Sequence, residues 1–248
     1  MCLIVFAWRP EHAMPLIVAA NRDEFYARPS LPLAAWEDVP GVHAGRDLEA
    51  GGTWLGIGPD GRFAALTNVR DPDQALGPRS RGELVAGFLR GQQAPLDYLA
   101  EVRERAAEYS GFNLLVGDHR QLCYLNSRSG APHALAPGLY GLSNAALDTP
   151  WPKLERARAA LARHLERPET GALLALLADH ERPADERLPE TGVGLATERL
   201  LSSVFIASPN YGTRASSVLR VHANGRREFF ERSFGPHGAR LGDVNLEL

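Results

Sequence analysis

The chain has 248 residues, 44% of them hydrophobic, and a formal net charge of -3, enough to build one domain over residues 1–248 around a substantial core. It contains no basic run, which argues against nucleic acid or an anionic membrane as its main partner. Its two cysteines, Cys2 and Cys123, are far apart, and there is neither a signal-peptide core nor a run of about 18 apolar residues. Disulfide scaffolds and stable membrane insertion are therefore not expected, and a reducing, cytoplasmic setting is.

Residues 1–8 and 16–24 are apolar and rich in β-branched and aromatic side chains, and the seven residues between them are polar with two prolines. That pattern predicts an antiparallel hairpin. With its turn centred between His12 and Ala13, Cys2 lies opposite Asp23 and shares a face with it, with Asn21, Arg22 and Glu24 close by. Were Met1 removed, Cys2 would carry a free α-amine beside its thiol. Such an amine, with an ordinary pKa of about 7.7–8.0, accepts a thiol proton near neutrality, and a neighbouring carboxylate orients it. A lone cysteine beside an apolar strand is more often a small buried hydrophobe than a nucleophile.

Residues 28–33 read as a proline-stiffened loop, and 45–52 as the approach to Gly51-Gly52. Residues 53–57 and 62–68 are predicted strands around Gly58-Pro59-Asp60-Gly61. The run Gly56 to Gly61 spells G-x-G-x-x-G, but Pro59-Asp60-Gly61 turns the chain where a dinucleotide site needs a helix to open. Asn68, at the end of the second strand, is either a turn cap for Asp71-Pro72 or an N–H donor to a developing oxyanion.

Helical spacing covers 80–90 and 96–109, followed by strands at 111–117 and 121–126 that place Cys123 in the core. A short strand at 139–144 ends on Asn144, and a helix begins with Thr149 as N-cap and runs to about residue 165. A further helix is expected over 169–180, a surface loop over 181–197, and three closing strands at 202–208, 213–222 and 228–233. Arg214 stands on the middle one. The histidines fall at no zinc-site spacing, and neither a G-x-S-x-G elbow nor a P-loop is present.

Met-Cys at the start, Asn21-Arg22-Asp23-Glu24, and Gly51-Gly52-Thr53-Trp54-Leu55-Gly56 resemble the NRDE family, also called the transport and Golgi organisation protein 2 family. Its start is similar to that of the N-terminal-nucleophile cysteine hydrolases. The resemblance implies an α+β fold, a four-layer αββα sandwich, and hydrolysis of linear amides of N-acyl compounds. It implies Cys2 as nucleophile, Asp23 orienting its amine, and Asn68 and Asn144 stabilising the oxyanion, with Asn21, Arg22, Glu24 and Arg214 binding or supporting. The hydrolases carry an arginine three positions before the aspartate, where this chain has Ala20, and strand alternation turns Arg22 away from Asp23's face. No cofactor or metal is called for. A small-molecule partner is, an acyl amide in the hydrolase case. The alternative is a non-catalytic protein that binds or traffics haem or lipid on the same fold, with His43 or Cys2 as ligand.

Overall fold

The computed structural model describes residues 2–73 and 76–248. In chain order the strands and helices begin β1 (Cys2–Trp8), β2 (Leu16–Phe25), β3 (Ser30–Ala35), β4 (His43–Asp47), β5 (Leu55–Ile57) and β6 (Phe63–Asn68). Two helices follow, α1 (Gly82–Arg90) and α2 (Pro95–Glu104), then β7 (Phe112–Gly117), β8 (Leu122–Asn126), β9 (His133–Ala134) and β10 (Gly138–Leu142). The remainder is α3 (Pro152–Ala162), α4 (Thr170–Leu177), α5 (Leu195–Leu201), β11 (Tyr211–Val221), β12 (Arg227–Phe234) and β13 (Arg240–Glu247).

Two compact units share these elements, and neither is one continuous stretch. The first comprises residues 1–27, 70–72 and 137–248, and holds a six-stranded sheet in the order β10-β1-β2-β11-β12-β13. Leu3, Val5 and Ala7 of β1 and Ile17 and Ala19 of β2 pack with Leu154, Ala157 and Leu161 of α3 and Leu173 and Leu177 of α4. Every residue of β1 is buried, which is why its sequence is a continuous apolar run rather than an alternating one.

The second unit comprises 28–69 and 73–136, with a seven-stranded sheet in the order β3-β4-β5-β6-β7-β8-β9. Its core joins Leu84, Phe88 and Leu89 of α1 and Leu99 and Val102 of α2 to Leu114 and Val116 of β7. Cys123 belongs to that core, as expected, and burial pushes its thiol up to about 11. The chain makes a single 3-10 turn at Pro59–Gly61 with Asp60 at φ 55, so no α-helix opens there and the nucleotide motif is a coincidence of letters. Among the described residues no helix is long and apolar enough to cross a membrane.

Several expectations are corrected. Residues 30–35 and 43–47 are strands, not loop, and Pro32 is tolerated because β3 is the sheet edge and its register with β4 breaks between Leu31 and Ala34. The helix after β10 has Trp151 as N-cap and Pro152 in its first turn. Thr149 instead donates its hydroxyl to Ala146 O at 2.8 Å. The surface loop expected over 181–197 gives way at Leu195 to α5, which runs to Leu201. The run at 202–208, buried over 202–206, is not a strand, because its backbone bonds go elsewhere: Phe205 N to Asp179 O and Ile206 N to the Thr213 hydroxyl. The sheet closes instead with β13, whose largely exposed residues carry little apolar pattern.

Candidate active site

The hairpin loop is closed by Arg9 N donating to Pro15 O at 2.8 Å, and the flanking pair is Trp8 with Leu16. The turn is thus centred on His12, half a residue earlier than expected. Cys2 therefore pairs with Arg22 rather than Asp23, and Leu3 pairs with Asn21. Because directly opposed residues share a face, Arg22 stands on the Cys2 side of the sheet and Asp23, its neighbour in the strand, on the other, which overturns the expectation that Asp23 shares the face of Cys2. Asp23 lies one residue beyond the end of β1, diagonal to Cys2, and the two act on each other electrostatically.

Burial is the main influence on the Cys2 thiol and pushes it up; the Asp23 charge adds to this and Arg22 opposes it. Asp23 is only 1% exposed. It accepts a hydrogen bond from the Thr213 hydroxyl on β11 at 2.7 Å, and that hydroxyl in turn accepts one from Ile206 N at 3.0 Å. Burial pushes its carboxyl up, with Lys153 the strongest opposing charge and the Thr213 bond and Arg22 helping.

Asn144 follows directly from the pairing of β10 with β1, in which Leu142 lies opposite Ile4. The Ser143 hydroxyl lies 3.2 Å from Cys2 O and 3.3 Å from Asn144 Oδ1, and is shared between these acceptors. Arg70 N donates to Asn144 O at 2.7 Å and fixes the backbone of that turn. The structure thus brings Cys2, Arg22, Asp23 and Asn144 to one end of the six-stranded sheet.

Asn21 has a different task. Its amide donates to Leu177 O and Val204 O, both at 2.9 Å, and accepts from the Ser216 hydroxyl at 2.6 Å. Both its donor hydrogens are used, so it clamps the end of α4 to the 202–206 segment rather than contacting a ligand. Glu24 accepts from Phe25 N at 2.9 Å and lies 3.8 Å from Arg22. Arg214 sits where the β2–β11 register shifts, and it donates to Phe25 O at 3.2 Å. Its titratable neighbours are Arg22, Glu24 and Tyr26. Asn68 closes β6 in the second unit, opposite Phe112.

Three residues of the site escaped sequence reasoning. Lys153, the only lysine in the chain, is buried and donates Nζ to Leu201 O at 2.9 Å. Arg70 stacks its guanidinium 4.7 Å from the Trp151 ring centre and pairs with Glu198 at 2.5 Å. Glu198 also accepts from Thr191 N at 3.0 Å and from its hydroxyl at 2.5 Å. One signal was available: Lys153 falls on the same helical stripe as the buried Leu154, Ala157 and Leu161, where a solvated lysine does not belong. Nothing in its local sequence singles out Arg70.

The fold has a counterpart among solved structures. The C2A mutant of a conjugated bile acid hydrolase from Clostridium perfringens superposes with a TM-score of 0.54 at 7% identity, covering 100% of this chain and 92% of that one. The likeness shows the α+β fold of the N-terminal-nucleophile hydrolases. In sequence, the chain is 40% identical over 256 residues to a transport and Golgi organization protein 2 homolog of Bos taurus, covering 94% of this chain and 93% of that one. The Homo sapiens homolog is 38% identical with the same coverage. The sequence profile described as Transport and Golgi organisation 2 matches residues 1–236, and the chain belongs to that family.

Proposed function

We propose that the protein hydrolyses the linear amide bond of small N-acyl compounds with Cys2 as nucleophile. The observation that carries this reading is the meeting of Cys2, buried Asp23 and the Ser143-Asn144 turn at one end of a sheet. Its fold likeness to a bile acid hydrolase supports it. The mechanism requires Cys2 to carry the chain's free α-amine, so everything before it must be removed; Met1 lies outside the described residues.

The Cys2 thiol passes its proton to the α-amine as sulfur attacks the carbonyl carbon. The C–S bond forms, charge collects on the carbonyl oxygen, and the Asn144 amide N–H group receives it. The C–N bond then breaks as the ammonium returns its proton to the leaving amine. A water molecule, deprotonated by the same amine, cleaves the acyl-thioester to a carboxylic acid and restores the thiol. Asp23 orients the amine throughout, and Arg22, on the Cys2 face, is placed to attract an anionic group on the substrate. We place this chemistry in the cytoplasm, where the thiol stays reduced.

A panel of N-acyl amides, including acyl amino acids, tests the proposal against three forms: protein starting at Cys2, protein with an uncleaved N-terminal extension, and Cys2→Ala. Turnover should be confined to the first. Cleavage by all three would refute Cys2 catalysis. Failure of all three to cleave any amide while binding haem or a lipid equally well would make the protein a carrier, the role the family name suggests.

A further inference from the structure

A buried arginine normally finds an acceptor for each of its N–H groups, because an unmet donor on a charged group carries its full desolvation cost. Arg70 departs from this. Its side chain is 3% exposed, and Nη1 donates to Glu198 Oε2 at 2.5 Å. Among the described residues nothing accepts from Nε or Nη2. These two groups form the side-on edge of the guanidinium, whose parallel N–H bonds match the two oxygens of a carboxylate. Glu198 does not fill that edge, since its other oxygen accepts from the Thr191 amide and hydroxyl.

Arg70 lines a crevice within the first unit, together with Glu198 of α5 and with Trp151, Pro152 and Lys153 at the start of α3. The Trp151 ring lies 4.7 Å from the guanidinium and fixes its plane. Lys153 is buried and uses one of its three donors, on Leu201 O at 2.9 Å. The first turn of α3 adds the positive end of a helix dipole. Two cations and one carboxylate thus line the crevice; Asp23 attracts both cations but is not part of the lining. Inside there is about 10 Å³ of room for the centre of a water-sized group, enough for one. A head group fits, and the rest of a ligand must lie outward, past the partly exposed Pro183, Leu188 and Pro189.

We propose that this crevice is a binding site for a small carboxylate, held side-on by Nε and Nη2 of Arg70 with Lys153 as a further donor. The site does not depend on the hydrolase reading. It adjoins the candidate active site, since Arg70 N donates to Asn144 O at 2.7 Å.

Acetate is the probe, added at constant pH to 15N-labelled protein. The Arg70 Nε–H resonance, identified by its loss in Arg70→Lys, should move along a saturating curve. Acetamide, which has the same shape without the charge, and chloride at equal ionic strength should leave it in place. NOEs from the acetate methyl group to the Trp151 ring should locate the bound molecule. A shift that chloride reproduces, or saturation with NOEs only to other parts of the protein, would overturn the proposal. So would displacement of acetate by sulfate at equal affinity, which marks a general anion site. Arg70→Lys keeps the charge and loses the paired donors, so acetate affinity measured by calorimetry should fall about tenfold or more, the loss of one charge-assisted hydrogen bond. Unchanged affinity in the folded variant contradicts the assignment. Should Arg70→Lys not fold, the NOEs to Trp151 in the parent protein decide alone: their presence supports the site and their absence at saturating acetate removes it.

Discussion

Asn144 is buried beside Cys2 through the Ser143 hydroxyl. Losing one oxyanion donor costs about 2.7–4 kcal/mol of transition-state stabilisation, so Asn144→Ala should lower turnover of a cleaved amide roughly a hundredfold or more. A variant that works at the parent rate has lost only a turn residue. Limited alkylation gives a second test: burial pushes both thiols up, and at Cys2 Arg22 opposes that rise. Label should enter Cys2 first, and equal labelling would count against an activated thiol. At this scale the sequence exposed Cys2 and Asp23, since a hairpin places its two ends together whatever the exact register. Lys153, Arg70 and Glu198 stayed hidden because residues far apart in the chain meet only through tertiary packing, which no local pattern encodes.

Among the elements, the buried pair of Arg70 and Glu198 carries a measurable share of stability, since it ties α5 to the segment that holds the Asn144 turn. Glu198→Ala leaves a buried guanidinium without its carboxylate. Removing one partner of such a pair costs about 3–5 kcal/mol, to be read as a lowered denaturation midpoint in urea, and a loss under 1 kcal/mol would show the pair to be well solvated. Gly212 is a second control point, because a Cβ there would stand 2.4 Å from Ile206 O and 2.3 Å from the Tyr26 hydroxyl. Backbone cannot yield cheaply, so Gly212→Ala should destabilise by about 1–3 kcal/mol and disturb the neighbouring Thr213–Asp23 bond. A parent-like stability would show that the segment relaxes. Helical periodicity made α1 and α3 legible, and continuous apolar runs made the strands β1, β2, β7 and β8 so. The exposed β13 lacked an apolar stripe and was invisible, and the 202–208 run looked like a strand because burial, not pairing, made it apolar.

For the molecule as a whole, resemblance of three short motifs carried the fold class further than composition did. Gly51-Gly52 shows what such a motif records: a Cβ on Gly52 would meet Gly82 backbone at 2.4 Å, so the glycine is there for close chain approach and not for chemistry. The Cys2 motif is different in kind, because a thiol at the head of β1 brings a nucleophile and not only a shape. The central claim is that this thiol becomes acylated. The most direct measurement is the mass of the N-terminal peptide after rapid acid quench of protein mixed with a cleaved N-acyl amide. The account predicts a peptide beginning at Cys2 and heavier by one acyl group, absent from Cys2→Ala and from the extended form. An unmodified peptide, or one still beginning with Met1, while the amide is being consumed would contradict it.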